Sequence, residues 1–295
     1  MTTPPREVRK AVVLAAGLGT RLLPATKAQP KEMLPLVDKP IIQYAVEEAA
    51  ASGLRQIIMV TAMAKRAVKD HFDRSIELEQ ALREKGDTAH LAEVQRISEL
   101  ADIVYVRQKE QRGVGDAVLA AREVVGNEPF VLFFPDDVII AEVPVARQLM
   151  DVFGRYGGSV LAVQRVPAAQ LESYGIVDGE PVAQGVIQVQ GLVEKPSPQE
   201  APSDLGIVGR YVLTPEIFDA LAETPPGKGG EIQLTDALAL LLARQPLFAY
   251  QFQGNRYDTG QPLGLLKASV ELALRRPDIG PALRQYLRDL ALGGE

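Results

Sequence analysis

The chain has 295 residues, 46% of them hydrophobic and 24% charged, a net charge of −6 and no cysteine. This suits one large globular α/β domain, or a domain with an appendage, that can bury a sizeable core. The acidic balance offers no electrostatic footprint for nucleic acid or an anionic membrane. The missing cysteines exclude disulfides and thiolate metal sites, and no apolar run nears the roughly 18–20 residues of a membrane span.

The opening MTTPPREVRK lacks the apolar core of a signal peptide, so residues 1–7 are expected to be a disordered tail and the cytoplasm the location. Ala11 to Ala16 is an apolar run that reads as a buried strand. It breaks at Gly17-Leu18-Gly19-Thr20-Arg21. The two glycines permit φ > 0 and leave no side chain between backbone and ligand, so successive N–H groups can point at one anion. Arg21 adds a planar fork that suits phosphate oxygens, and Lys31 supplies a second cation. The simplest ligand for this combination is a polyphosphate, although the same residues would also make a plain tight turn with Arg21 solvated. Two familiar phosphate loops are excluded. There is no G-x-x-x-x-G-K-[ST] string, and Leu22 stands where the dinucleotide fingerprint needs its third glycine.

Lys39-Pro40 opens a helix with Ile41, Ile42, Ala45, Val46 and Ala49 at helical spacing, and Gly53 ends it. Arg55 to Thr61 is a predicted strand, and a further helix begins within 64–72. Residues 75–100 are charged and amphipathic and predict two surface helices broken at Gly86. Ile103 to Val106 is a third strand ending at Arg107-Gln108, followed by a glycine turn into a helix. Phe130 to Phe134 is a fourth strand ending at Pro135-Asp136-Asp137. This alternation predicts a mainly parallel sheet with crossover helices, whose ligands sit beyond the carboxyl ends of the strands. Gly17, Gln108 and Asp136 are therefore expected near one another. After about residue 140 the pattern is mixed. Segments 159–167, 185–196, 206–214 and 246–252 predict strands of a longer, partly antiparallel sheet. Leu234 to Ala243 predicts a helix, and 262–292 is helical with a break at 275–278.

Two carboxylates stand out. Asp136 ends an apolar strand, where a charge is costly unless paired or metal-bound, and Asp258 sits in a polar turn before Thr259-Gly260. Hard oxygen ligands of this kind suit Mg²⁺, although Asp137 or Asp258 could equally cap a turn. Gln108 offers one donor and one acceptor, as uracil does on its pairing edge, but alone it reads as a polar strand end. Glu194-Lys195-Pro196 alone reads as a solvated loop. His71 and His90 stand beside no candidate nucleophile.

Gly17 to Arg21 with Pro30-Lys31-Glu32-Met33-Leu34-Pro35 resembles the signature of the sugar-nucleotide pyrophosphorylases, nucleotidyltransferases that act on sugar 1-phosphates. PATKAQPKEMLPLVDKPIIQYAVEEA, HFDRSIELE and GEIQLTDAL are similar to the bacterial UTP–glucose-1-phosphate uridylyltransferases, and the similarity continues along most of the chain. The resemblance implies a Rossmann-like nucleotidyltransferase fold in the α/β class. Its mixed, mainly parallel central sheet would be flanked by helices, with a small additional β region and C-terminal helices. It implies a single domain over 8–292, with a nucleotide-binding part to about 140, a sugar-phosphate-binding part over 141–260 and C-terminal helices at 262–292.

By the same resemblance, the chain transfers UMP from UTP to α-D-glucose 1-phosphate with Mg²⁺, giving UDP-glucose and pyrophosphate. Ala15, Ala16, Gly17, Gly19, Thr20, Arg21, Glu32, Gln108 and Gly113 match nucleotide-binding positions. Tyr174, Gly175, Glu194, Lys195 and Gly209 match the sugar-phosphate site, where the glycines would let the hexose approach the backbone. Asp136 and Asp258 match the metal ligands, with Asp137 adjacent and able to share the role. Arg21, Lys31, Asp136 and Lys195 carry the catalytic positions. Relatives form dimers or tetramers, so a homo-oligomer is expected. In one departure, the family's usual G-L-G-H-A is Gly113-Val114-Gly115-Asp116-Ala117 here, with an acid in place of the imidazole. The alternatives are a thymidylyltransferase for the same sugar phosphate or a weakly active regulatory homologue.

Overall fold

The fold follows from which apolar runs can be buried on both faces. A computed structural model describes residues 7–292, so the expected tail lies outside the described residues except for Glu7. In chain order the elements are β1 (Lys10–Ala15), β2 (Pro35–Leu36), β3 (Lys39–Pro40), α1 (Ile41–Ala51), β4 (Gln56–Thr61), α2 (Arg66–Phe72), α3 (Ile76–Lys85) and α4 (Thr88–Ser98). There follow β5 (Asp102–Arg107), α5 (Val114–Leu119), α6 (Arg122–Val125), β6 (Phe130–Phe133), β7 (Asp137–Ile140), α7 (Val145–Tyr156) and β8 (Ser159–Arg165). The remainder are β9 (Gly175–Ala183), β10 (Val186–Glu194), β11 (Leu205–Leu213), α8 (Ile217–Glu223), α9 (Leu234–Leu242), β12 (Leu247–Gln251), β13 (Asn255–Asp258), α10 (Pro262–Arg275) and α11 (Gly280–Leu292). Among the described residues, no helix is long and apolar enough to cross a membrane.

The main sheet has nine strands in the order β5-β4-β1-β6-β11-β8-β12-β10-β9. β5, β4, β1 and β6 run parallel, as the strand–helix alternation predicts. β1 is central and almost wholly buried, so alternate residues feed opposite cores. Val13 joins Val46, Met59, Phe133 and Leu149 on one face, and Val12 joins Ile58, Leu132, Phe218 and Leu238 on the other. The sheet as a whole is not mainly parallel. β6–β11, β11–β8, β12–β10 and β10–β9 are antiparallel, and beyond β6 only β8–β12 is parallel. For β9 and β10 the reason is local: Gln184-Gly185 joins them as a two-residue hairpin with Gly185 at φ 71°, and a tight hairpin can join only antiparallel strands.

α3 and α4 form the expected surface hairpin. Gly86 ends α3 at φ 70°, and Asp87 caps α4 by accepting the His90 N–H at 3.2 Å. The additional β region is the pair β7–β13, which sets Asp258 opposite Asp137. Val138 and Tyr257 from this ribbon pack with Leu36, Ile41 and Ala268, tying α10 to the body. Neither strand of the ribbon is evident in the sequence, and β9, α7 and α8 are equally absent from that reading.

Candidate active site

The loop after β1 is stretched over Lys31. Gly19 has φ 70°, and a Cβ there would lie 3.1 Å from Lys31 Cβ and 3.2 Å from Thr26 Cγ2, so only glycine fits without strain. Thr26 Oγ1 donates to the Gly19 carbonyl at 2.8 Å. Two residues with no motif in the sequence hold the loop from outside. Lys65 Nζ donates to the Gly17 carbonyl at 2.7 Å and to Glu32 Oε2 at 2.8 Å, and Gln111 Nε2 donates to the Ala16 carbonyl at 2.8 Å. Glu32 is only 1% exposed, so its carboxylate supports the loop from beneath and acts through Lys65. Burial raises its pKa, against the pull of Lys65 and Lys31. Arg21 is exposed and its charge reaches Lys31 and Asp136.

Beyond β6 the carboxylates converge. Lys31 Nζ lies 2.5 Å from Asp136 Oδ2. Burial opposes both charges, but each outweighs the other's penalty. Asp136 ends below the usual carboxylate range, and Lys31, helped also by Glu32, ends above the usual lysine value. The Asp136 carbonyl accepts from Thr259 N–H and Oγ1, both at 2.8 Å, which anchors the β13 end against the β6 end. Asp258 Oδ1 accepts the Gly260 N–H at 3.0 Å. A Cβ built on Gly260 would stand 3.0 Å from Asp136 Oδ2 and 3.1 Å from Asp258 Oδ1, so the two carboxylates face one small space.

That donor set fits Mg²⁺, which takes one or two carboxylates and completes its shell with water and substrate phosphates. Among the described residues, no group of three or more His, Asp or Glu could hold a metal unaided. Asp137 does not join this set. It is buried, with Oδ1 held by Arg256 Nε and Nη2 at 2.6 and 2.5 Å and Oδ2 accepting the Gly209 N–H at 2.7 Å.

Gln108 follows β5, its N–H donating to the Thr61 carbonyl at 2.8 Å. Its side chain is 5% exposed, and Nε2 donates to Asp116 Oδ2 at 2.8 Å and to the Gly113 carbonyl at 3.3 Å. Gly113 has φ 98°, and a Cβ there would lie 2.7 Å from Glu231 Cβ. The Gly115 N–H donates to the Ile232 carbonyl and the Ile232 N–H to the Arg112 carbonyl, both at 2.8 Å. The GEIQLTDAL string thus pins the glycine turn, a role no local pattern reveals.

The sugar-phosphate candidates lie on or beside β9, β10 and, for Gly209, β11, and Glu194 faces Gly175 in register. Lys195 sits at φ 47°, its N–H donating to the Tyr174 carbonyl at 3.0 Å and its Nζ 2.9 Å from Glu194 Oε1. Asp236 lies near this pair: burial raises its pKa, and Glu194 adds to the rise. Tyr174 Oη accepts from Arg256 Nη1 at 2.9 Å, so Arg256 links the sugar side to Asp137. At two glycines the missing side chain makes room for protein groups. A Cβ at Gly175 would lie 2.6 Å from Thr235 Oγ1, and one at Gly209 would lie 2.5 Å from Phe134 Cβ and 2.6 Å from Asp137 Oδ2.

A glycine loop, a Lys–Asp pair and a second carboxylate gather at the strand ends of a mixed sheet, an arrangement that suits a phosphate-bearing ligand. A family model described as nucleotidyl transferase matches residues 10–274, and the chain belongs to that family. Among curated relatives, UTP–glucose-1-phosphate uridylyltransferase YngB of Bacillus subtilis (strain 168) is 53% identical over 285 residues, 97% of this chain and 96% of the relative. UTP–glucose-1-phosphate uridylyltransferase of Staphylococcus epidermidis is 49% identical over 97% of this chain and 99% of its own. Among solved structures, a UDP-glucose pyrophosphorylase complexed with UDP-glucose is 42% identical with a TM-score of 0.84, covering 92% of this chain and 100% of its own. A UTP-bound UGPase from Acinetobacter baumannii is 38% identical with a TM-score of 0.87, covering 98% and 100%.

Proposed function

We propose that the chain transfers UMP from UTP to α-D-glucose 1-phosphate, releasing pyrophosphate. The observation that carries this reading is the meeting of Asp136 and Asp258 at Gly260, with Lys31 on Asp136 and the phosphate loop above it. A phosphate oxygen of glucose 1-phosphate attacks the α-phosphorus of UTP in line. The new P–O bond forms as the bond to the bridging oxygen of the β-phosphate breaks, and pyrophosphate leaves. The attacking phosphate is already anionic at neutral pH, so the reaction needs no protein nucleophile or general base.

The protein's part is to hold two anions together. Positioning can supply about 7–11 kcal/mol of such a barrier in favourable cases. Lys195 holds the attacking phosphate and Glu194 the sugar hydroxyls, with Tyr174, Gly175 and Gly209 around the hexose. Arg21 and Lys31 bind the triphosphate beside the backbone of Ala15, Ala16, Gly17, Gly19 and Thr20. Gln108 and Gly113 meet the pyrimidine. Asp136 and Asp258 would hold Mg²⁺, which when bound neutralises charge on the phosphates. The reading takes residues 8–292 as one domain, working in the cytoplasm as a homo-oligomer.

The test is pyrophosphate release by the purified chain with Mg²⁺ and glucose 1-phosphate, comparing UTP, dTTP, CTP, ATP and GTP. Release with UTP that EDTA abolishes is the expected result. Similar release with dTTP would make it a general pyrimidine enzyme. No release from a folded sample that still binds UTP would overturn the reading in favour of a regulatory homologue.

A further inference from the structure

We propose that Asp116 is a positioning residue that holds the Gln108 amide with its carbonyl toward the base, selecting pyrimidines that carry a proton on N3 and excluding cytosine. This rests on the reading that Gln108 meets the base. Gln108 Nε2 lies between two groups, Asp116 Oδ2 at 2.8 Å and the Gly113 carbonyl at 3.3 Å. A carbonyl can only accept, and so can an ionised carboxylate. Asp116 Oδ1 in turn accepts from Arg112 Nη2 at 2.9 Å, so its second oxygen is engaged by a donor that cannot accept. Turning the Gln108 amide over would set its own oxygen against two others in a buried site.

Gln108 Oε1, by contrast, receives no hydrogen bond among the described residues. The amide therefore presents an acceptor as its free end. Uracil and thymine have a donor at N3 to meet it, whereas cytosine has a lone pair there and leaves two acceptors facing each other. An asparagine at 116 would weaken this order, because its own amide can turn and offer either oxygen or N–H to Gln108, leaving only the longer contact to the Gly113 carbonyl to favour it.

The test is kcat/KM for UTP, dTTP and CTP with the wild-type chain and with Asp116→Asn, Asp116→Leu and Gln108→Leu, each checked for fold by circular dichroism. The wild type should prefer UTP over CTP by about a hundredfold or more. Asp116→Asn should raise the CTP-to-UTP ratio about tenfold or more while moving the dTTP-to-UTP ratio far less, since both of those bases carry the N3 proton. Gln108→Leu should lower UTP use and erode the same preference. A purely structural role for Asp116 would depress all three nucleotides alike, and that result would overturn the proposal. A shifted ratio in Gln108→Leu with unchanged ratios in both Asp116 variants would overturn it and leave the base contact standing. An unchanged ratio in Gln108→Leu would remove the base contact and the proposal together. Equal use of UTP and CTP by the wild type would overturn the proposal without any variant.

Discussion

At the scale of single residues, the proposed site would use a cation placed where the backbone is constrained. Lys195 holds a left-handed φ of 47°, unusual for a residue with a side chain, and among the described residues its Nζ pairs only with the adjacent Glu194. A hydrogen bond to a charged group contributes about 1.5–3 kcal/mol, or roughly ten- to a hundredfold in binding. We expect Lys195→Ala to raise KM for glucose 1-phosphate by that factor with little change in KM for UTP. An unaltered kcat/KM for the sugar phosphate in steady-state assays would exclude Lys195 from that role. Gly19 is the complementary case, where any side chain is the fault. Gly19→Ala should cost about 1–2 kcal/mol from the left-handed backbone alone, with further loss where its Cβ meets Lys31. Urea denaturation gives the first quantity and UTP titration should show the second. A variant of wild-type stability would mean the loop is not held as described.

Between elements, two buried charges act as ties. Glu48 on α1 and Arg210 on β11 pair at 2.7 Å, with side chains 9% and 1% exposed. Arg210 Nη1 also donates to the Phe134 and Gly209 carbonyls at 3.1 and 3.0 Å, and Glu48 Oε1 accepts the Ala146 N–H at 3.0 Å. The pair thus joins α1, α7, β11 and the strand end that carries Asp136. Removing one partner of such a pair typically costs about 3–5 kcal/mol because the other charge stays buried. Arg210→Met should show a loss of that size in chemical denaturation, and a loss below about 1 kcal/mol would refute the tie.

The surface hairpin has a different tie. Glu79 on α3 accepts from Arg74 at 2.6 Å and from Gln95 on α4 at 3.1 Å. The Arg74 hydrogen bond, aided by Gln95, holds its pKa down at about 2. The unfolded chain takes up this proton near the ordinary value of 4.5, whereas the folded chain resists until about pH 2. The contribution to stability is therefore fully present above 4.5 and fades as pH falls from there toward 2. The gap in Tm between wild type and Glu79→Gln should narrow between pH 6 and pH 3.5. A gap that stays constant across that interval would assign the effect to packing instead of charge.

For the whole molecule, the decisive feature is where two kinds of sheet meet. The parallel strands β5, β4, β1 and β6 end at the phosphate loop, Gln108 and Asp136, and the antiparallel strands begin at β11, beside β6. β9 and β10 bring Glu194 and Lys195, and β13 returns Asp258 to Asp136. On the proposed reading, UTP with Mg²⁺ bridges the parallel half and the β7–β13 ribbon. Ligand at a hundred times its Kd stabilises a fold by about 2.7 kcal/mol, which for a chain of this size is a rise in Tm of roughly 4 °C. EDTA should remove much of that rise, and Asp258→Asn should reduce it even with Mg²⁺ present. A UTP-induced rise that neither treatment alters would remove Asp258 from the metal site.

The sequence by itself determined the elements whose signals are local. The apolar runs of β1, β4 and β6 are legible because strands buried on both faces need no partner pattern to be seen, the edge strand β5 shows in Ile103 to Val106, and Gly86 divides the surface helices by its own conformation. The loop from Gly17 to Arg21 and the acid at Asp136 stand out for the same reason, since glycine freedom and side-chain chemistry belong to a few adjacent residues, whereas Gln108 and Lys195 stand out only through the family resemblance. Tertiary structure alone decided the rest. Asp137-Val138-Ile139-Ile140 becomes a strand by pairing with β13, and Arg256 meets Asp137 from 119 positions away. Lys65, Gln111 and Thr259 act on loops far from them in sequence, and Glu32 is buried against Lys65. Backbone preference and side-chain chemistry act over a few residues, whereas strand pairing and the burial of a charge depend on whichever distant segment the closed fold brings against them.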